Sequence, residues 1–201
     1  MKMKHVVLGL AMVFGMASAA HATVIDFEPL RGTGDTVSSG YEENGFQLVT
    51  NSSSGVFNVW DGYIVPTVTA LVSDAGGTTT LSKTDGGLFQ LNSIDLAIYY
   101  YSYPIDVTFT GLLADGDTVE QTFNLGSGLQ TFLFKDDFTN LVSVSFVQGT
   151  FTAGDFGKIY QFTNINVTPV DGSAAPVPEP ATMLLFGAGL LGLAGISRRK
   201  N

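Results

Sequence analysis

Between residues 23 and 168 the apolar positions recur with a period of two. Ile105, Val107 and Phe109 alternate with Asp106, Thr108 and Thr110; Val119, Phe123 and Leu125 share a parity, as do Val142, Val144 and Phe146. Such alternation belongs to half-buried strands with one wet face. Helical periodicity never runs beyond about two turns, and Val, Ile, Phe, Tyr and Thr are abundant, so the segment is expected to be all-β. The pattern predicts strands over 24–28, 41–50, 56–60, 64–72, 78–82, 88–91, 94–101, 105–110, 118–125, 129–134, 141–147 and 158–167. Turn signals separate them, among them Glu42-Glu43-Asn44-Gly45, Asp61-Gly62, Asp85-Gly86-Gly87, Asp115-Gly116-Asp117 and Lys135-Asp136-Asp137. Roughly ten strands, eight to twelve residues apart and without internal repeats, predict a single two-sheet sandwich of jelly-roll type.

The two ends follow different patterns. Lys2 and Lys4 precede an apolar run, Val6 to Met16, and then Ala20-His21-Ala22. This is the order of a signal peptide, residues 1–22, cleaved after the A-x-A formed by Ala20 and Ala22. At the other end a small-residue linker, 169–177, leads to Pro178-Glu179-Pro180, an apolar run over 181–196, and Arg198-Arg199-Lys200. As a helix the run spans roughly 24 Å at about 1.5 Å per residue, slightly less than a hydrocarbon core, which snorkelling basic residues can offset. The basic end stays in the cytoplasm by the positive-inside rule, leaving residues before 176 on the outer side.

This terminal segment resembles the PEP-CTERM sorting signal, also catalogued as the ice-binding protein C-terminal domain. Val177-Pro178-Glu179-Pro180-Ala181-Thr182 matches its V-P-E-P-[AST] core, and a Gly-interrupted helix with Gly187, Gly189, Gly192 and Gly195 precedes the basic end. The resemblance implies recognition by the membrane enzyme exosortase and the secretion machinery. Cleavage near the Pro-Glu-Pro then delivers the protein to the cell surface or an extracellular matrix rich in exopolysaccharide, as in a biofilm. An ordinary membrane anchor behind a proline linker is the plainer alternative. The strand grammar of 89–123 with Tyr160–Val167 resembles the jelly-roll bodies that precede such signals and, more distantly, carbohydrate-binding modules. Where those bodies end in Phe-Asp-Asn-Ile, this chain has Phe162-Thr163-Asn164-Ile165.

Charge narrows the function. All eighteen acidic residues lie between Asp26 and Glu179, against four basic ones (Arg31, Lys83, Lys135, Lys158), so the body carries −14 where the whole chain carries −9. Nucleic acid is not an expected partner of such a body. The chain has no cysteine, and His5 and His21, its two histidines, fall within the signal peptide. Nucleophile-histidine pairs, His or thiolate zinc sites and disulfides are thereby excluded from the mature chain. No carboxylate pair stands out for glycoside hydrolysis, and the chain is not expected to be an enzyme.

Two binding sites are candidates. Sugar rings stack on aromatic faces, for which Trp60, Tyr63, Tyr99 and Tyr101 are available, although sandwich aromatics also build cores. The acidic body supplies the oxygen ligands of Ca²⁺. The resemblance to carbohydrate-binding jelly rolls implies an ion joining first and last strands, at Asp26 or Glu28 with Asp155 or Asn164. Ice binding is not expected, because Thr78-Thr79-Thr80 and Thr108/Thr110 do not form a regular array along the chain. The expected protein is an exported surface or matrix component, with binding of exopolysaccharide as the alternative.

Overall fold

The computed structural model describes residues 21–33, 36–38, 40–61, 68–73, 76–98, 105–147 and 159–170. Thirteen strands follow in chain order: β1 (Thr23–Ile25), β2 (Thr36–Ser38), β3 (Gly40–Glu43), β4 (Phe46–Thr50), β5 (Val56–Asp61), β6 (Thr69–Ser73), β7 (Thr78–Lys83), β8 (Phe89–Ile98), β9 (Ile105–Leu113), β10 (Thr118–Leu125), β11 (Gln130–Leu133), β12 (Leu141–Val147) and β13 (Tyr160–Pro169). A 3₁₀ turn, Glu28–Leu30, follows β1. Among the described residues no helix is long and apolar enough to cross a membrane.

All pairings are antiparallel, and they resolve into two runs. One is β3-β4-β7-β12-β9-β10. The other is β2-β5-β6-β13-β8-β11, with β1 beside the second half of β13. A single pair, Leu141↔Phe89, joins the runs, so the sandwich approaches a closed barrel along that seam.

Period-two patterning explains the core. In β9, Ile105, Val107 and Phe109 are buried while Asp106 and Thr108 are exposed. Among the described residues fourteen phenylalanine, tyrosine and leucine side chains are sealed below 2 % exposure, among them Phe27, Phe57, Phe109, Phe138, Tyr160 and Phe162. Their rings form a continuous chain. Tyr41 meets Phe27 edge-on at 5.5 Å, Phe27 meets Phe162 at 5.9 Å, and Phe162 crosses to Phe146 of the opposite sheet at 5.2 Å. Phe146 then stacks on Phe109, which touches Phe123 and Phe134. Edge-to-face geometry suits the ring quadrupole and adds to area burial.

The structure corrects several boundaries. The predicted strands 88–91 and 94–101 run together in one strand, β8, as far as Ile98 (99–101 lie outside the described residues), because Asn92 is spent inside the sheet: its amide donates to Asn166 Oδ1 (2.8 Å) and Thr168 Oγ1 (2.9 Å). The expected turn Glu42–Gly45 contracts to Asn44-Gly45, both at positive φ, and Glu42 and Glu43 belong to β3. Val142 does not share a face with Val144 and Phe146. A register shift between Leu141 and Ser143 sends Val142 outward and Leu141 inward. Val24–Glu28 shortens to β1 and the 3₁₀ turn, β2 is additional, and of 64–72 the described strand is β6.

Tyr160 supplies a pH test. It is fully buried, its hydroxyl donates to the Val147 carbonyl at 2.9 Å, and burial pushes its phenol well above the usual tyrosine range. Below about pH 10 the phenol is neutral in both states and stability is flat. Above that, the unfolded phenol ionises and the folded one does not, so unfolding gains about 1.4 kcal/mol per pH unit from this group. Urea titrations between about pH 9 and 11 should show a shallower loss for Tyr160→Phe than for the parent. Parallel curves would contradict the burial argument.

Candidate functional site

The strand pairings define the second face of the sheet containing β5, β6, β13 and β8. In β5, Phe57 and Val59 enter the core, so Asn58 and Trp60 point the other way. Trp60 is half-buried and stands opposite Ala70, and Asn58 stands opposite Val72. Across β13 and β8 the face continues with Gln161 opposite Ala97 and Thr163 opposite Asp95. The floor is made of small residues, with Trp60 at one side.

Ala70, Val72, Ala97, Gln161 and Thr163 are nonetheless buried, and all five residues of β6 are. This part of the sheet is therefore covered on both faces, whereas alternation alone assigns it one wet face. Two groups on the face are satisfied internally. Asp95 accepts from Thr131 Oγ1 (2.6 Å) and Asn164 Nδ2 (2.7 Å), and Thr163 Oγ1 donates to the Thr69 carbonyl (2.7 Å). Gln161 is different: its Nε2 is buried and has no hydrogen-bond partner. An unmade bond of this kind costs about 1–3 kcal/mol and calls for an explanation.

Of the four aromatics proposed to stack on sugar, Trp60 is described; Tyr63, Tyr99 and Tyr101 lie outside the described residues. The proposed cation ligands do not converge. Asp26 Oδ1 accepts the Glu28 N–H at 3.0 Å, Glu28 Oε1 accepts from Arg31 at 2.6 Å, and Asn164 gives its amide to Asp95. A third carboxylate, Glu43 of β3, clasps this turn. It accepts the N–H groups of Asp26 (3.4 Å) and Phe27 (3.2 Å) and the Tyr41 hydroxyl (2.9 Å). Among the described residues no group of three acidic side chains gathers, and Asp155 lies outside them. A shallow hollow of about 320 Å³, lined by Leu113, Ala114, Asp115, Asp137 and Asn140 among others, opens at one end of the sandwich.

Asn58, Asp95 and Gln161 were not singled out from sequence. The alternation in Phe57-Asn58-Val59-Trp60 and Tyr160-Gln161-Phe162 carries the signal for where they point. Which strands bring them side by side is not written in either segment.

The C-terminal segment is decided by comparison. Residues 176–200 match the family model of the PEP-CTERM protein-sorting motif. The chain carries a PEP-CTERM sorting motif. It holds Val177, Pro178, Glu179 and Pro180 and begins seven positions after the last strand ends at Pro169; like Ala20 at the other end, these residues lie outside the described set, whereas Ala22 is described and exposed just ahead of β1. The PEP-CTERM motif marks a protein sorted to the cell envelope or surface. No curated protein matches the chain. Solved structures similar to it include a CBM29-2 mutant complexed with mannohexaose, at 14% identity and TM-score 0.44, covering 75% of this chain and 92% of that one. Another is CBM29_1, a family 29 carbohydrate-binding module from Piromyces equi, at 10% identity and TM-score 0.42, covering 80% and 97%. A third is the CBM22-1–CBM22-2 tandem domain of Paenibacillus barcinonensis Xyn10C, at 14% identity and TM-score 0.43, covering 83% and 50%.

Proposed function

We propose that this protein is an exported, non-catalytic component of the cell surface or extracellular matrix, delivered by exosortase-type processing of its PEP-CTERM motif. The observation that carries the reading is the motif match at 176–200, separated from a β-sandwich by a short linker of small residues. Two further features support it. β1 starts at Thr23, directly after the proposed signal-peptidase site, so removal of 1–22 costs the described fold no strand. The segment 181–196 is uncharged and followed by Arg198, Arg199 and Lys200, as a transient membrane helix requires. Mass spectrometry of the protein from its native host tests the reading. The expected mature chain begins near Thr23 and ends near Pro178–Pro180. A tail that stays intact in a host possessing the processing enzyme would overturn sorting and leave a plain anchor.

A second reading is binding of the host's own exopolysaccharide on the Trp60 face. What favours it is Trp60, a half-buried ring on the outward side of β5 that stands opposite the small Ala70, so that one ring face has no bulky neighbour across the strand pair. Affinity electrophoresis of the processed protein in gels containing that polysaccharide tests it. Retardation lost on Trp60→Ala supports the face; equal mobility with and without polysaccharide removes this reading.

A further inference from the structure

The pairings place both ends of the described chain together. Thr23 is registered with Val167, and β1 is antiparallel to β13, so residue 22 and residue 170 leave the sandwich at the same pole. Following the registers outward, the turns at Thr84–Leu88, Ala114–Asp117 and Phe134–Asn140 belong to that pole too. Phe89 pairs with both Pro169 and Leu141, Leu113 pairs with Leu141, and the Leu91 N–H donates to the Phe138 carbonyl. The opposite pole holds the segments between Thr50 and Val56 and between Leu125 and Gln130.

Among the described residues the two poles differ in charge. Asp85, Asp115, Asp117, Asp136 and Asp137 are all exposed at the pole of the chain ends, with Lys83 and Lys135 as the basic residues of the same turns. Asp85 keeps its charge, because the Gly87 N–H and Lys83 hold its carboxyl below the usual carboxylate range. At the opposite pole the described turn segments Asn51–Gly55 and Gly126–Leu129 contain no ionisable side chain, and one exposed aspartate, Asp106 at the start of β9, stands beside them; Asp74, Asp155 and Lys158 fall in segments outside the described set.

We propose that the pole carrying both chain ends and five exposed aspartates faces the bilayer while the sorting tail is held there, and that its charge keeps it from resting on anionic lipid. The inference rests on the reading of 181–196 as a membrane segment. Eight residue steps from Val170 to Pro178 reach at most roughly 26–29 Å, so the sandwich cannot wander far from the surface. Repulsion between carboxylates and lipid phosphates acts over a Debye length of about 8 Å at physiological salt. The pole is therefore tethered close yet kept off the surface, and the Pro-Glu-Pro lies in an aqueous gap where a membrane enzyme can reach it. The sandwich is also free to close completely with both ends still in the membrane, because both leave by the same side.

The absence of cysteine from the chain makes the test clean. Ala114→Cys marks the acidic pole and Ser127→Cys the opposite one, and both positions are at least partly exposed. Each full-length variant, labelled with a donor dye, is placed in vesicles of mixed zwitterionic and anionic lipid carrying an acceptor lipid. Strand β9 alone separates the poles by about 30 Å at roughly 3.3 Å per residue, so energy transfer should be severalfold higher from position 114 than from 127. Equal or reversed transfer overturns the orientation. Raising salt from about 0.01 M to 1 M shrinks the Debye length from about 30 Å to 3 Å and should increase transfer from 114 on anionic vesicles but not on purely zwitterionic ones. The same increase is expected at low salt when the five aspartates are changed to asparagine. Transfer indifferent to salt and to these changes overturns the repulsion. Flotation separates the premises: a chain that does not float with vesicles refutes the membrane reading of the tail, whereas one that floats with equal transfer at both poles refutes the orientation alone.

Discussion

Phe162→Ala should lower the unfolding free energy by about 4 kcal/mol, within the range of roughly 3–5 kcal/mol for truncating a sealed phenylalanine. Phe162 is fully buried in β13 and is one of the rings that bridge the two sheets: it meets Phe27 at 5.9 Å, Phe57 at 6.1 Å and Phe146 of the opposite sheet at 5.2 Å. Its three partners come from strands or turns far apart in sequence, so the cavity cannot be closed by a local shift. A domain of this size has about 5–15 kcal/mol in all, and a loss of 4 kcal/mol corresponds to a fall in Tm of roughly 8–16 °C. Urea unfolding followed by tyrosine and tryptophan fluorescence measures it. Phe162→Leu, which retains most of the volume, should lose less than half as much, and equal losses for Leu and Ala would show that ring geometry rather than the cavity governs the site.

Glu43→Ala should cost about 2–3 kcal/mol, the second largest effect. Its carboxylate holds the turn after β1, accepting the backbone N–H groups of Asp26 and Phe27 and the hydroxyl of Tyr41. Hydrogen bonds to a charged group are worth about 1.5–3 kcal/mol each when buried and less here, where the site is partly open. The backbone at Phe27 also needs support. Its φ of 60° is left-handed, which costs an L-residue roughly 1–2 kcal/mol. Without Glu43 the turn should relax and β1 should fray from β13, so amide exchange at Ile25 and Phe27 should accelerate more than at Leu96 in β8. Uniform acceleration would mean a global effect and sink the proposal of a local clasp. Glu43→Gln, still an acceptor but neutral, should fall between.

How much of this was legible beforehand differs from element to element. Strands β9, β10 and β12 could be read from parity because one face of each is wet, so polar and apolar residues alternate. Strand β6 could not be bounded, because Thr69-Ala70-Leu71-Val72-Ser73 is buried throughout and burial on both faces erases alternation. Asn92 looked like a loop residue, yet two side chains of the neighbouring strand, Asn166 and Thr168, satisfy its amide, and a polar group with partners belongs inside a sheet as readily as an apolar one. Val142 was placed on the wrong face because a bulge adds a residue without leaving a mark in the pattern. The part of Glu43 was hidden for a similar reason: its carboxylate, in β3, clasps the turn after β1, a contact between segments that neither one announces alone.

The chain's own order of residues determined the all-β class, the exclusion of histidine and cysteine chemistry, and the address at 176–200, because composition, period and a linear motif are local properties that need no partner. Tertiary structure alone decided which residues became neighbours: the aromatic chain through Phe162, the buried amide of Gln161 beside Ala97, and the gathering of five turn aspartates at the pole where both ends leave. Antiparallel pairing is the physical reason. Each strand reverses the last, so every second turn returns to the same pole, and charges spaced thirty and fifty residues apart meet there once the registers are set.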